Sequence, residues 1–273
     1  MKSNNFYSLI IAVSLFASCA KSSNINSISA SNLKKAVFTR ANDSVVTSFK
    51  YDANGYVSSI EEIGGNMVGL SPTISRNGTI VFQRNASGLV TSYGIVYPSL
   101  LSVLTAPLNN FKPFYIANSN KLQYCIDTQA LDSIVYIYTG SYITTSITYS
   151  KRFLSATQPI FKYEYTYDMV GNLLTSQYYV TNFVFPYNLT LLESLTFNGY
   201  DTNQNALQVL NHEESILALR PQYASPNNPL SENYAYATNG ITSYTYTYSA
   251  GLPTSAIANS TGAMYSGTVR FYY

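Results

Sequence analysis

Lys162–Ser176 reads KYEYTYDMVGNLLTS, and its two halves decide the fold. In the first half every second residue is tyrosine: Tyr163, Tyr165 and Tyr167 fall on one face of an extended chain, with Lys162, Glu164 and Thr166 on the other. A period of two with aromatic and β-branched residues is the pattern of a half-buried strand. The second half opens with Asp168, whose side chain can accept backbone N–H groups ahead of it, and reaches Gly171 three places later. Glycine there allows the positive φ that turns a type I turn back into a strand. The segment is a β-hairpin.

The same unit recurs. Tyr51–Ser59 (YDANGYVSS) pairs Asp52 with Gly55, Arg84–Ser92 (RNASGLVTS) pairs Asn85 with Gly88, and Tyr248–Ser255 (YSAGLPTS) is a shortened copy around Gly251. Each turn carries at most one carboxylate, whereas a calcium loop needs several, so these residues are read as structural and no metal is expected. The turn glycines at 55, 88, 171 and 251 are too unevenly spaced for a solenoid. The expectation is a mainly β protein, a long antiparallel meander forming a curved sheet or open barrel. Ile134–Tyr138, Ser141–Tyr149, Thr242–Ser249 and Thr268–Tyr273 supply further strands.

Two segments interrupt the pattern. Pro98–Ala106 suits a helical turn or a buried loop. Asn205–Leu219 (NALQVLNHEESILAL) sets Leu207, Leu210 and Leu217 near one side and ends at Arg220-Pro221, which predicts one helix near 205–219 covering a face or an end of the sheet. Ser225–Leu230 (SPNNPL) follows as an expected loop.

The N-terminus has a different grammar. Lys2 precedes the apolar run Leu9–Ala17 (LIIAVSLFA), which as a helix covers about 14 Å, short of the roughly 30 Å of a hydrocarbon core. It is a signal-peptide core. Ala17 and Ser18 then lead into Cys19, an order that resembles the bacterial lipobox, with Phe16 where the motif usually has Leu. The resemblance implies cleavage before Cys19 and lipid on its thiol. An ordinary signal peptide with an incidental cysteine is the competing reading. Ala20–Ser31 (AKSSNINSISAS) is a flexible tether. The expected organisation is signal peptide 1–18, lipidated cysteine and tether 19–32, and a single β-rich domain 33–273. Since AKSSN after the cysteine carries no acid cluster, the expected address is the outer membrane, on its periplasmic side.

The Tyr-Asp-x-x-Gly hairpins resemble those of the YD-repeat (Rhs-type) proteins. The lipobox-like start, the Tyr51 and Tyr167 turns, Phe197–Asn205 (FNGYDTNQN) and Ser225–Leu230 with the Tyr/Thr strands after it resemble a family of uncharacterised Bacteroidota lipoproteins. That family usually has proline where this chain has Ala206, which leaves the start of the helix open. The resemblance implies a fold type and a cellular address, and no chemistry.

Catalytic motifs are sparse. His212 is the one histidine; His212-Glu213-Glu214 lacks the second imidazole of HExxH, position 216 being Ile, and suits a solvated helix face. No Gly-x-Ser-x-Gly elbow occurs, and Gly64-Gly65 lacks the Lys-Ser/Thr of a phosphate loop. With Cys19 lipidated, Cys125 has no disulfide partner and reads as a buried, inert thiol. Glu164 and Glu193 are the carboxylates that strand patterning explains least. The charges nearly balance, at 15 basic and 13 acidic residues, which argues against nucleic acid and other polyanions as partners. The 27 tyrosines are assigned first to strand pairing and second to a sugar or protein surface. The expected function is a non-enzymatic, membrane-anchored envelope lipoprotein without cofactor, binding a protein or glycan partner through its curved sheet. The alternatives are a carrier of an apolar acyl ligand and a carboxylate-dependent polysaccharide hydrolase.

Overall fold

The computed structural model describes residues 32–40, 43–64, 78–96, 110–127, 131–151, 158–182, 187–218, 221–235, 239–261 and 266–273. The signal peptide, Cys19 and the tether up to residue 31 lie outside them, as does Pro98–Ala106. Sixteen antiparallel strands follow one another: β1 (Lys35–Arg40), β2 (Asp43–Tyr51), β3 (Val57–Ile63), β4 (Gly78–Arg84), β5 (Val90–Val96), β6 (Phe111–Tyr115), β7 (Leu122–Asp127) and β8 (Asp132–Thr139). Then come β9 (Tyr142–Ser150), β10 (Gln158–Tyr167), β11 (Leu173–Thr181), β12 (Leu189–Gln204), β13 (Asn227–Ala235), β14 (Asn239–Ser249), β15 (Leu252–Ser260) and β16 (Gly267–Tyr272). Each pairs with the next, and β1 pairs with β16 from Lys35↔Tyr272 to Thr39↔Thr268, which closes the meander into a barrel. Closure removes the edge strands that an open sheet would expose.

Register partners share a face of the sheet, so the pairing sorts side chains into inward and outward rows. Tyr163, Tyr165 and Tyr167 point inward with their partners Tyr178, Ser176 and Leu173. Inward residues from β2 to β12 form one apolar cluster that includes Phe49, Ile60, Phe82, Leu122, Ile143 and Phe197. Leu122, Cys125, Ile143 and Leu173 are 0% exposed, so side chains rather than water occupy this part of the interior. Aromatic rings set the spacing: Tyr163 stacks on Tyr178 at 4.6 Å and Tyr93 on Phe111 at 5.5 Å. The outward rows hold Ser and Thr, exposed apolar residues such as Val81, Ile137, Leu191, Ile241 and Ile257, and scattered charges, Lys35, Lys50, Glu61, Lys112, Lys162, Glu164 and Arg270 among them.

The Asp/Asn–Gly turns of β2–β3, β4–β5 and β10–β11 gather at one end. Asp52 Oδ1 accepts the N–H groups of Asn54 and Tyr56, Asn85 Oδ1 those of Ser87 and Leu89, and Asp168 Oδ1 those of Val170 and Asn172, all at 2.8–3.0 Å. Gly55, Gly88 and Gly171 take φ of 83°, 81° and 98°, and each ladder slips by one residue beside its turn. This is a type I turn closed by a glycine bulge. At Ala250-Gly251 both residues have positive φ, so that turn is a two-residue hairpin of another kind.

The connection from β12 to β13 is an excursion across this same end. Its helix α1 spans His212–Leu217 only, shorter than the 205–219 segment suggested. Asn205 ties its side chain to Leu207 N–H and to the Ser225 and Gln222 carbonyls, which holds the chain in a turn instead of a helix. Asn211 then caps α1, and Glu214 completes a capping box. A 3-10 turn follows at Pro221–Ala224. Ser225–Leu230 is not a loop throughout: β13 begins at Asn227, because the Asn228 side chain and N–H bond Asp201 of β12 and substitute for regular pairing between Tyr200 and Gln204.

Candidate functional site at the plugged end of the barrel

The position just before each Asp or Asn turn residue points inward. Tyrosine fills it at Tyr51 and Tyr167, and arginine takes it at Arg84. The Arg84 side chain is 5% exposed and forms an ion pair with Glu214 on α1, itself 9% exposed. Its guanidinium also donates to the carbonyls of Gly88 and Val57, at 3.0 Å each, and lies over the rings of Tyr56 and Phe82. One arginine thus ties together β3, a turn and the plug helix.

His212 opens α1 and faces into the barrel end, not the solvated face that the sequence suggested. Its Nε2 accepts the Ile143 N–H at 2.7 Å, and its ring meets Tyr142 and Tyr167 edge-on at 5.3 and 5.2 Å. Burial pulls its pKa down to about 4, so the imidazole is neutral. Burial also raises the pKa of Glu213, against the opposing effect of a bond donated by Tyr138 at 3.5 Å. Nε2 is committed to a backbone amide and Glu214 to Arg84, so neither is poised to take a proton from a nucleophile.

A second polar set staples the return of the excursion. Asp201 accepts from Asn203 N–H, from the Asn228 N–H and side chain, and from the Tyr248 hydroxyl. Asn172, next to the third turn, exchanges hydrogen bonds with Asn227. These Asn and Asp residues serve architecture.

Glu164 and Glu193, the two unexplained carboxylates, lie on opposite faces. Glu164 is on the outer wall, 2.9 Å from Lys162, and Glu193 is buried opposite Tyr178 inside. They cannot flank one substrate bond. Cys125 is buried beside Tyr136, and burial pushes its pKa up to about 12. Among the described residues no group of three or more His, Cys, Asp or Glu is placed to hold a metal ion.

Charge is sorted across the wall. Glu62, Asp127, Asp132, Glu193 and Glu214 are buried, whereas among the described residues Arg84 is the one basic side chain shown drawn inside, paired with Glu214. The outer surface is therefore more basic than the net charge of +2 implies, a distribution that the balanced composition conceals.

No family model and no curated protein matches the chain. A porin-like protein from Bacteroides uniformis has a similar fold, with a TM-score of 0.51 at 10% identity over 89% of this chain and 98% of that one. A porin-like protein from Bacteroides vulgatus follows at a TM-score of 0.43, 12% identity and coverage of 88% and 98%. A DUF3836 family protein from Parabacteroides distasonis reaches 0.23 at 6% identity over 48% and 87%. What the first shares with this chain is the barrel fold.

Proposed function

We propose that the chain is a non-catalytic envelope lipoprotein: a filled β-barrel that stands in water beside the outer membrane, tethered by lipid on Cys19, and serves as a binding module for a protein or glycan partner. The observation that carries this reading is the polarity of the wall. A membrane-spanning barrel has an outward apolar band about 25 Å tall and a polar lumen, and each Lys or Arg at the band's middle costs about 2–4 kcal/mol. Here charged side chains interrupt the outer wall: Lys162 and Glu164 stand outward midway along β10 and Arg270 midway along β16, among exposed apolar residues such as Val81, Leu191 and Ile257. The interior is filled chiefly by Phe, Ile, Leu and Tyr around a few buried acids. A barrel of this polarity supports a water-facing domain rather than a pore. The lipobox-like start at Cys19 supplies the means of holding it to the envelope. The hydrolase alternative loses its carboxylate pair, and the packing around Leu122, Cys125 and Ile143 weighs against the acyl-carrier alternative.

Crosslinking in intact cells tests the reading. A tagged wild-type chain is expected to capture one envelope partner, and the Cys19→Ala form to lose it. Capture of nothing by either form, together with hydrolysis of an envelope polysaccharide by the purified protein, would overturn it.

A further inference from the structure

The β6–β10 sector of the outer wall carries an apolar row across adjacent strands, in addition to exposed apolar residues elsewhere such as Val81, Leu191, Ile241 and Ile257. The register places Phe114 of β6, Tyr124 of β7, Val135 of β8 and Ile147 of β9 in a single outward row that continues to Lys162 of β10. Ile137 and Tyr149 lie on the same face, two residues along from Val135 and Ile147. Val135 and Ile137 are 38% and 48% exposed, and Phe114 and Tyr124 stack on each other at 4.6 Å. Three lysines border the row: Lys112, whose ammonium lies over Phe114, Lys151 immediately after β9, and Lys162, whose ammonium lies over Tyr179. Glu164, already bonded to Lys162, is the one acid on this face among the described residues of β6–β10, since Asp127 and Asp132 are buried.

We propose that the β6–β10 sector docks side-on onto an anionic lipid bilayer surface. Its chemistry is that of a bilayer interface. Aromatic rings settle at headgroup depth, short aliphatic side chains enter the outermost acyl region, and lysines lay their stems along apolar surface with the ammonium toward lipid phosphate. Exposed Val and Ile favour lipid over an acidic polysaccharide, which would meet hydroxyls and rings instead. Charge complementarity comes from the inward placement of the acids, which leaves the three lysines nearly unopposed on this face. The proposal shares with the reading above only the premise that the barrel stays out of the hydrocarbon core.

The test uses the full chain carrying Cys19→Ala, which removes the acyl tether, with vesicles of phosphatidylcholine with or without phosphatidylglycerol. Binding is expected only with phosphatidylglycerol and is expected to weaken as salt rises. Each lysine is expected to contribute about five-fold to partitioning. Lys112→Glu/Lys151→Glu/Lys162→Glu should therefore weaken binding at least about a hundred-fold, and Ile137→Asn several-fold. Lys35→Glu/Lys50→Glu/Arg270→Glu makes the same charge change on β1, β2 and β16 and is expected to leave binding intact. Loss of binding in that control, equal binding to neutral vesicles, or binding to polygalacturonate with none to vesicles would overturn the proposal. Insertion resistant to alkaline wash would overturn the water-facing reading as well, so the two failures are distinct.

Discussion

Replacing Glu214 by Gln removes one charge from the plug while keeping the side chain's length and its ability to accept the Asn211 N–H in the capping box. What remains is the Arg84 guanidinium, 5% exposed and without its counter-charge, bonded to the Gly88 and Val57 carbonyls. Removing one partner of a buried pair costs about 3–5 kcal/mol, because the surviving charge stays desolvated. A glutamine amide can still accept one N–H from Arg84, which sets the expected loss near the lower end, about 3 kcal/mol. Urea unfolding monitored by tyrosine fluorescence measures the total. Hydrogen exchange of the Asn205–Ala224 amides locates it, and these are expected to lose protection before the strands do. Arg84→Met/Glu214→Leu removes both charges and is expected to recover part of the loss. A change below about 0.5 kcal/mol in Glu214→Gln, or a double substitution worse than the sum of the singles, would refute the reasoning.

The pKa of His212 is lower in the folded state than unfolded, so the native protein binds fewer protons. Its contribution to stability is fully present above pH about 6.5 and is lost as pH falls toward about 4, by up to about 3 kcal/mol. His212→Gln is expected to flatten that part of a stability-versus-pH curve. Gly171→Ala places a Cβ 2.5 Å from the Tyr142 hydroxyl on top of the strain of positive φ, and should cost about 2 kcal/mol or more. Gly55→Ala meets nothing within 4 Å and should cost about 1 kcal/mol by thermal melting. Cys125, with its pKa pushed up to about 12, is expected to resist iodoacetamide in the folded protein and to react at once in denaturant.

The hairpins were legible because each is local: Asp168, Gly171 and the alternating tyrosines ahead of them lie within nine residues. Closure was not, since it rests on β1 meeting β16 across nearly the whole chain, and a period-two pattern does not say which strands become neighbours. Arg84 carries a signal that only the closed fold makes readable. It occupies the inward place that tyrosine fills in two sister turns, and its partner lies 130 residues away. His212 reads from the sequence as solvated because two glutamates follow it, whereas the short helix lies across an end that buries Glu214 and Ile216. The prolines of SPNNPL pointed to a loop, yet the Asn228–Asp201 bonds hold that stretch against β12. Net charge hid the sorting of acids inward and lysines outward, because a sum carries no positions.

The central claim is a filled barrel kept out of the bilayer and held to it by lipid on Cys19. Detergent phase partitioning of salt-washed cell envelopes tests it most directly. Wild type is expected in the detergent phase, labelled by fatty acid, and Cys19→Ala in the aqueous phase without label. A Cys19→Ala protein that still enters the detergent phase would contradict the account and make the barrel itself the membrane-embedded part.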